Sequence, residues 1–306
     1  LLFFTEKAGN PSSIHAAGRE ARKAVENARR QVATALHAEA REIYFTAGGS
    51  ESDNWAIRCA AAETGKKHVI TSAVEHHAVL HSCRALERDG FRVTYLPVDE
   101  NGLVSPDDVR RALTDDTALI SIMAANNETG VVQPIRELTA AAHAVGALFH
   151  TDAIQGYLHI PLDVTELGVD AMTVAAHKIG GPVASGALYL KSRTPLRPRI
   201  FGGGQEAGRR AGTQDLRTQL AFAAAARTLA PHVAQERATL QTLSDKLYAT
   251  LTAHPRIHAT MGDYAQADRL PGMVSIYIDG MDSEELIIKL DAAGFEVSAG
   301  SACSRG

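Results

Sequence analysis

The feature that most narrows the folds open to this chain is an alternation. From Glu42 to Leu190, short apolar runs take turns with amphipathic helical patterns. The runs are 42–46 (EIYFT), 68–72 (HVITS), 92–96 (RVTYL), 117–123 (TALISIM), 147–151 (ALFHT), the run leading to Lys178, and 186–190 (GALYL). Helical spacing lies between them, from about His77 to Asp89, from Pro106 to Leu113 and from about Ile135 to Val145. Strands apolar along their whole length are buried on both faces, and strand–helix–strand repeats connect parallel neighbours. The expected fold class is α/β, with a mostly parallel central sheet covered on both sides. In such sheets ligands sit beyond the carboxyl ends of the strands.

That rule makes the strand-end residues informative. Gly49-Ser50, Glu75-His76, Asn126-Asn127, Asp152 to Gln155 and His177-Lys178 each follow an expected strand. Any one of them is an ordinary loop or capping residue, but five polar strand ends gathered at one edge point to a shared site. An ammonium is strongly hydrated, so a lysine hidden at a strand end must be paired or chemically consumed, for instance as a Schiff base; the alternative is a lysine turned to solvent. The segment AGGSESDNWAI turns through glycines and opens a helix at Glu51 or Ser52. A helix start leaves backbone N–H groups at the positive end of its dipole, and glycines let a phosphate approach them, although serine and glycine also serve as plain caps. After Phe201, glycines at 202, 203, 204, 208 and 212 read as an extended or mobile loop, in which Arg209, Arg210 and Thr213 offer anion-binding groups. A lysine, an aspartate 26 positions before it and a glycine–serine cradle are together the parts that pyridoxal phosphate requires.

The remaining sequence sets the frame. After Ser12 and Ser13, Ala21, Val25, Ala28, Val32 and Leu36 recur at helical spacing, with the arginines and lysines of that helix expected in solvent. From Asp215 an alanine-rich helical pattern runs toward His254 and breaks near Pro231. This places a domain boundary between a large cofactor-binding domain, 1–226, and a small C-terminal domain, 227–306, whose segments 273–278, 283–292 and 295–298 read as β-α-β. A net charge of −4 gives no overall attraction to nucleic acid or anionic membrane. No apolar run approaches the roughly 18 residues of a membrane span, and the opening LLFFTEK lacks the features of a signal peptide, so a cytoplasmic enzyme is expected. Cys59, Cys83 and Cys303 have no metal-like spacing and read as free thiols, the first two structural. Adjacent Glu75, His76 and His77 also lack the spacing of metal ligands.

Seven motifs in order, FTAGGSESDNWAI, VEHHAVL, NNETGVVQPI, HTDAIQ, AHKIGGP, GGGQEAGRRAGT and SAGSACS, resemble those of the cysteine desulfurases, fold type I enzymes of the class V aminotransferase group. The resemblance runs from Gly9 to Cys303. It implies a homodimer in which Lys178 carries the pyridoxal phosphate aldimine and Asp152 faces the ring nitrogen. Gln155 bonds the phenolate oxygen, His76 stacks on the ring and assists proton transfer, and Asn127 lies near the substrate carboxylate. Gly49, Ser50 and His177 hold the phosphate, and Thr213 reaches the phosphate of the partner subunit. Cys303 is the implied nucleophile, taking sulfur from L-cysteine as a persulfide for a sulfur-acceptor protein of iron–sulfur cluster assembly or tRNA thiolation. The SAGSACS form resembles the branch with a long cysteine loop. Three departures stand out: Ala175 where relatives carry a serine, Gly180 in place of a tyrosine, and Pro182-Val183-Ala184 in place of a lysine-bearing turn. The family's opening strand, the rest of its small domain and the arginine that binds the substrate carboxylate are expected outside this sequence. Related readings are a selenocysteine lyase, another class V enzyme, or a truncated, inactive desulfurase kept as a binding partner.

Overall fold

The computed structural model describes residues 9–300. Helix α1 (Ala16–Thr34) buries Ala21, Val25, Ala28 and Val32, and Leu36 beyond its end completes the stripe. Its N-cap is His15, whose Nδ1 accepts from the Gly18 N–H at 3.3 Å; neither preceding serine is the cap. There follow β1 (Ile43–Thr46) and α2 (Gly49–Trp55), which continues through a π turn (Ala56–Ala60) into a last α turn (Ala61–Glu63). Next come β2 (His68–Ser72), α3 (His77–Arg88), β3 (Arg92–Leu96), α4 (Pro106–Ala112), β4 (Thr117–Ser121), α5 (Ile135–His143), β5 (Leu148–Asp152), α6 (Val164–Leu167), β6 (Ala171–Ala175) and β7 (Gly186–Leu190).

These seven strands form one sheet in the order β1-β7-β6-β5-β4-β2-β3. Only β7 runs against the rest, paired antiparallel with both β1 and β6; the other pairings are parallel. Strands β2, β4, β6 and β7 are buried along their whole length, whereas β3, at the sheet's edge, is mostly half-open. The physical cause is the layering: α1 and α7 (Leu216–Leu229) pack on each other over one face, and α2 and α3 over the other. Each fully buried Val, Leu, Ile or Phe of such a core contributes roughly 1.5–3 kcal/mol. Because six of the seven strands point the same way, the residues after β1, β2, β4, β5 and β6 meet at one edge, as the alternation implies.

A 3-10 turn (Ala230–His232) containing Pro231 separates α7 from α8 (Val233–Thr252), which packs against β8 (Ile257–Ala259). Here the expected β-α-β piece is corrected. Strand β8 pairs antiparallel with β9 (Ile276–Ile278), α9 (Ser283–Ala292) follows, and 295–298 forms no strand. Three residues with a central histidine gave β8 no legible period, and 295–298 finds no neighbouring strand to pair with among the described residues. Helix α9 buries none of its residues, and Tyr277, Ile288, Phe295 and Val297 stay exposed. No helix among the described residues is long and apolar enough to cross a membrane.

Candidate active site

The carboxyl edge of the sheet has two layers. The lower one is dry. Asp152 ends β5 at 5% exposure, and Asp53, from the second turn of α2, is fully buried, as is His150. Glu75, between β2 and α3, is 5% exposed. The Asp152 Oδ1 accepts the Ile154 N–H at 3.0 Å. Glu75 Oε1 accepts from the Ser72 hydroxyl at 2.7 Å and the Met123 N–H at 2.9 Å, which ties the ends of β2 and β4 together, while its Oε2 has no hydrogen-bond partner among the described residues. Burial pushes Glu75 up to about 8 against those two hydrogen bonds. His150 is bracketed by the Ser121 hydroxyl at 2.9 Å and the Thr173 hydroxyl at 3.0 Å, and burial pushes it down to about 3, so it stays neutral.

The upper layer is open. Lys178 does not end β6; it lies in a 3-10 turn (Ala176–Ile179) beyond it and is exposed, as is His177. The hidden amine that an apolar strand suggested is therefore an amine in the mouth of the site. The cause is the turn, which lifts the side chain clear of the sheet; Gly180 closes that turn at φ 73°. Only glycine holds this conformation without strain, so the departure from tyrosine at 180 has a backbone reason here. The Lys178 carbonyl accepts from His159 Nε2 at 2.9 Å. His76 caps α3, its Nδ1 accepting the Ala78 N–H at 3.1 Å, which leaves the proton of the neutral ring on Nε2. Burial, then the charges of His77 and Lys178, lowers its pKa, and burial and Lys178 do the same for His177. These shifts bring His76, His177 and Lys178 into one electrostatic neighbourhood.

The start of α2 forms the third side. Helix α2 begins at Gly49, ahead of the Glu51 or Ser52 start its sequence suggests, and no side chain caps it from Gly48. A Cβ on Gly49 would stand 2.0 Å from Ile154 Cδ1, and one on Gly186 would stand 2.8 Å from the Gly48 carbonyl carbon. Backbone thus meets backbone at Gly186 and the Ile154 side chain at Gly49, so neither glycine has room for a Cβ, and the Ser50 side chain is exposed beside them. Of the amide pair after β4, Asn126 holds the loop: its Oδ1 accepts the Glu128 and Thr129 N–H groups and its Nδ2 donates to the Val74 carbonyl. Asn127 is half-buried and has no such duty, as is Gln155.

The glycine-rich loop differs from its sequence reading. Arg210 is locked onto Glu51 by a two-pronged ion pair at 2.9 and 3.0 Å, and Arg209 lies over the Tyr44 ring and donates to the Leu196 carbonyl, so neither is offered to an anion. Glu206 is buried and grips Arg29 of α1 at 2.6 and 2.9 Å. It also accepts the Phe45 N–H and the Gln214 amide. Arg29, expected in solvent with the rest of α1, is therefore 7% exposed. Glu206 and Ala207 adopt φ of 46° and 55°, a left-handed conformation that costs non-glycine residues about 1–3 kcal/mol and persists where the surroundings overdetermine it. The ion pair does that here. A loop fastened to α1, β1 and α2 is held rather than mobile, and it presents Thr213 exposed. Sequence gave no signal for this anchor, because Arg29 and Glu206 are 177 positions apart.

Asp53 is the other residue that sequence reasoning passed over. Its signal was present, an acid inside an otherwise apolar helix face (SDNWAI), but a carboxylate in a helix reads as solvent-facing unless the fold is known. Cys59 and Cys83 are buried free thiols, as expected of structural cysteines, and Cys303 lies outside the described residues.

Comparison with known proteins bears on all of this at once. The family profile described as Aminotransferase class-V matches residues 1–305. The chain is 45% identical over 306 residues to "Cysteine desulfurase IscS" of Methanosarcina thermophila, covering 99% of the chain and 75% of that relative. It is 46% identical to the protein of the same name from Dictyoglomus turgidum, covering 99% of the chain and 77% of the relative. A solved structure titled "NIFS-LIKE PROTEIN" superposes with a TM-score of 0.92 at 35% identity, covering 97% of this chain and 82% of that one.

Proposed function

The chain belongs to the class V aminotransferase family, and from that premise we propose a cysteine desulfurase that works with pyridoxal phosphate in the site described above. The observation that carries the reading is the pairing of a buried, N–H-bonded Asp152 at the end of β5 with an exposed Lys178 amine in the turn that follows the adjacent parallel strand β6. The residues fit the cofactor: a dry carboxylate for the ring nitrogen, an amine for the aldehyde, and a glycine approach with uncapped N–H groups for the phosphate. When bound, the cofactor supplies an electron sink for the Cα of the substrate amino acid.

In this reading Lys178 moves the Cα proton, and Asp152 keeps a proton on the ring nitrogen. Gly49, Ser50 and His177 hold the phosphate, Gln155 donates to the ring oxygen, and Asn127 serves the substrate side. His76, with Nδ1 engaged at the helix cap, acts as a donor from Nε2. The thiolate of Cys303 attacks the sulfur of L-cysteine. The carbon–sulfur bond breaks, a sulfur–sulfur bond forms, and a proton is delivered to the carbon, which gives alanine and a persulfide on Cys303. The persulfide passes to an acceptor protein of iron–sulfur cluster assembly or tRNA thiolation in the cytoplasm. A homodimer completes the site, with Thr213 reaching the phosphate of the partner subunit; exposed apolar side chains at Val183 and Phe201, on the loops that flank the site, support that docking.

The test is to incubate the purified protein, supplied with pyridoxal phosphate, with L-cysteine and to follow alanine, protein persulfide and the visible absorbance of the cofactor. Alanine formation that disappears in Lys178→Ala and Cys303→Ser is expected. A wild-type protein that binds no cofactor, or that forms alanine equally well without Cys303, would overturn the reading.

A further inference from the structure

Beneath the site lie three buried carboxyl groups, none of them ion-paired to a lysine or arginine among the described residues. Asp53 and Asp152 act directly on each other, Glu75 acts on Asp53 and Asp152 on Glu75, and all three are almost wholly out of water. A positively chargeable group, His150, does reach the cluster, with its Nε2 3.7 Å from Asp53 Oδ1. It supplies no charge, because both its ring nitrogens are taken by hydroxyls and burial holds it neutral. Like charges in a dry space cannot all be ionised, so protons must be retained somewhere in this cluster.

The surroundings decide where. Asp152 receives a backbone N–H on Oδ1, which favours its charged form. Asp53 receives none: both its oxygens lack a well-formed hydrogen bond among the described residues, and the donor acting on it is the Thr173 hydroxyl. Asp152 is also the one that emerges at the strand end, whereas Asp53 is sealed beneath it. The Ser121 and Thr173 hydroxyls occupy the two ring nitrogens of neutral His150, so its imidazole is committed to them and offers Asp53 no charge.

We propose that Asp53 is a positioning residue that stays a neutral carboxylic acid and donates its proton to Asp152, so that Asp152 remains the ionised partner of the cofactor ring nitrogen. The pair then carries one negative charge in place of two, matched to one protonated ring nitrogen. Asp53 touches neither substrate nor cofactor; it acts through Asp152. This inference rests on the pyridoxal phosphate reading for its consequence, but the location of the proton is a property of the protein alone.

Two measurements separate those parts. Infrared difference spectra of the cofactor-free protein at neutral pH, wild type minus Asp53→Asn, read the carbonyl stretch of a protonated carboxylic acid. A band that Asp53→Asn removes is expected; its absence means Asp53 is ionised and overturns the proposal. The second measurement uses cofactor labelled with 15N in the ring, whose nitrogen NMR shift reports protonation independently of turnover. Wild type and Asp53→Asn, which keeps a neutral donor, are expected to share a protonated signal, while Asp53→Leu, of similar size but without a donor, moves toward the unprotonated position. Identical signals in all three overturn the positioning role, as does an Asp53→Asn shift as large as that of Asp53→Leu. Failure of the wild type to bind cofactor at all would sink the desulfurase reading instead, and the infrared result would still decide whether Asp53 holds the proton.

Discussion

The floor and the rim of this site use the same residue types to opposite ends. His150 and His76 both belong to the carboxyl edge, yet one lies in a dry slot between two hydroxyls while the other is half-open at a helix start. Asp152 ends β5 and Lys178 follows the adjacent β6, and only the lysine is exposed. What separates them is water, shut out below and admitted above. Substitutions in the floor and its supports should therefore register as stability and pH dependence, and those in the rim as activity.

The largest contrast is expected at Lys178→Ala, which should lower alanine formation by at least about 10³-fold while leaving the thermal midpoint where it is, since the side chain is exposed. A large drop in midpoint would place Lys178 with the floor. Glu206→Ala should do the reverse in denaturant unfolding. It strands the Arg29 guanidinium in a buried place, and losing one partner of such a pair costs about 3–5 kcal/mol. An effect below about 1 kcal/mol would mean that the loop is not held by this anchor.

Glu75→Gln sharpens the comparison through pH. Burial raises Glu75 from 4.5 to about 8, so across that interval the folded chain keeps a proton that the unfolded chain has released, and stability falls as pH rises. His150 works on the acid side: its folded value is about 3 against 6.5, so stability falls as pH drops through that range. Between pH 6.5 and 8 the carboxyl effect is unopposed by His150. Urea unfolding over that window should show a decline in the wild type on the order of a few kcal/mol or less, which Glu75→Gln makes shallower. An equally steep decline in the variant would mean that Glu75 is ionised in the fold. A small stability effect is expected at His76→Ala, about 1 kcal/mol for the lost cap. His76→Asn, a good cap, should restore stability without restoring activity; recovery of both would make His76 a cap alone.

Much of the floor's framework was legible. Strands β2, β3 and β7 fall at the residues their apolar runs occupy, and the stripe on α1 is the one its spacing gives. Lys178, Asp152, His76 and Gly49 gather at one edge because parallel strands leave no other place for them. The direction of β7 was not legible, since an apolar run has no sense of direction, and neither was β8, three residues long. Arg209 and Arg210 looked like anion binders because sequence shows a charge and hides its partner; Tyr44 and Glu51 are those partners.

What the sequence determined by itself was the layer each segment belongs to and the chemical groups that arrive at the sheet's edge. Both follow from local patterns, unbroken apolar runs for the buried strands and a 3.6-residue period for the helices, that any stretch of chain displays by itself. Only the tertiary structure decided which charges face each other: Arg29 with Glu206, Arg210 with Glu51, Asp53 against Asp152. The physical reason is that a charge's state depends on the distance to its neighbours and on the absence of water around it. Both are set when segments far apart in the sequence are packed together.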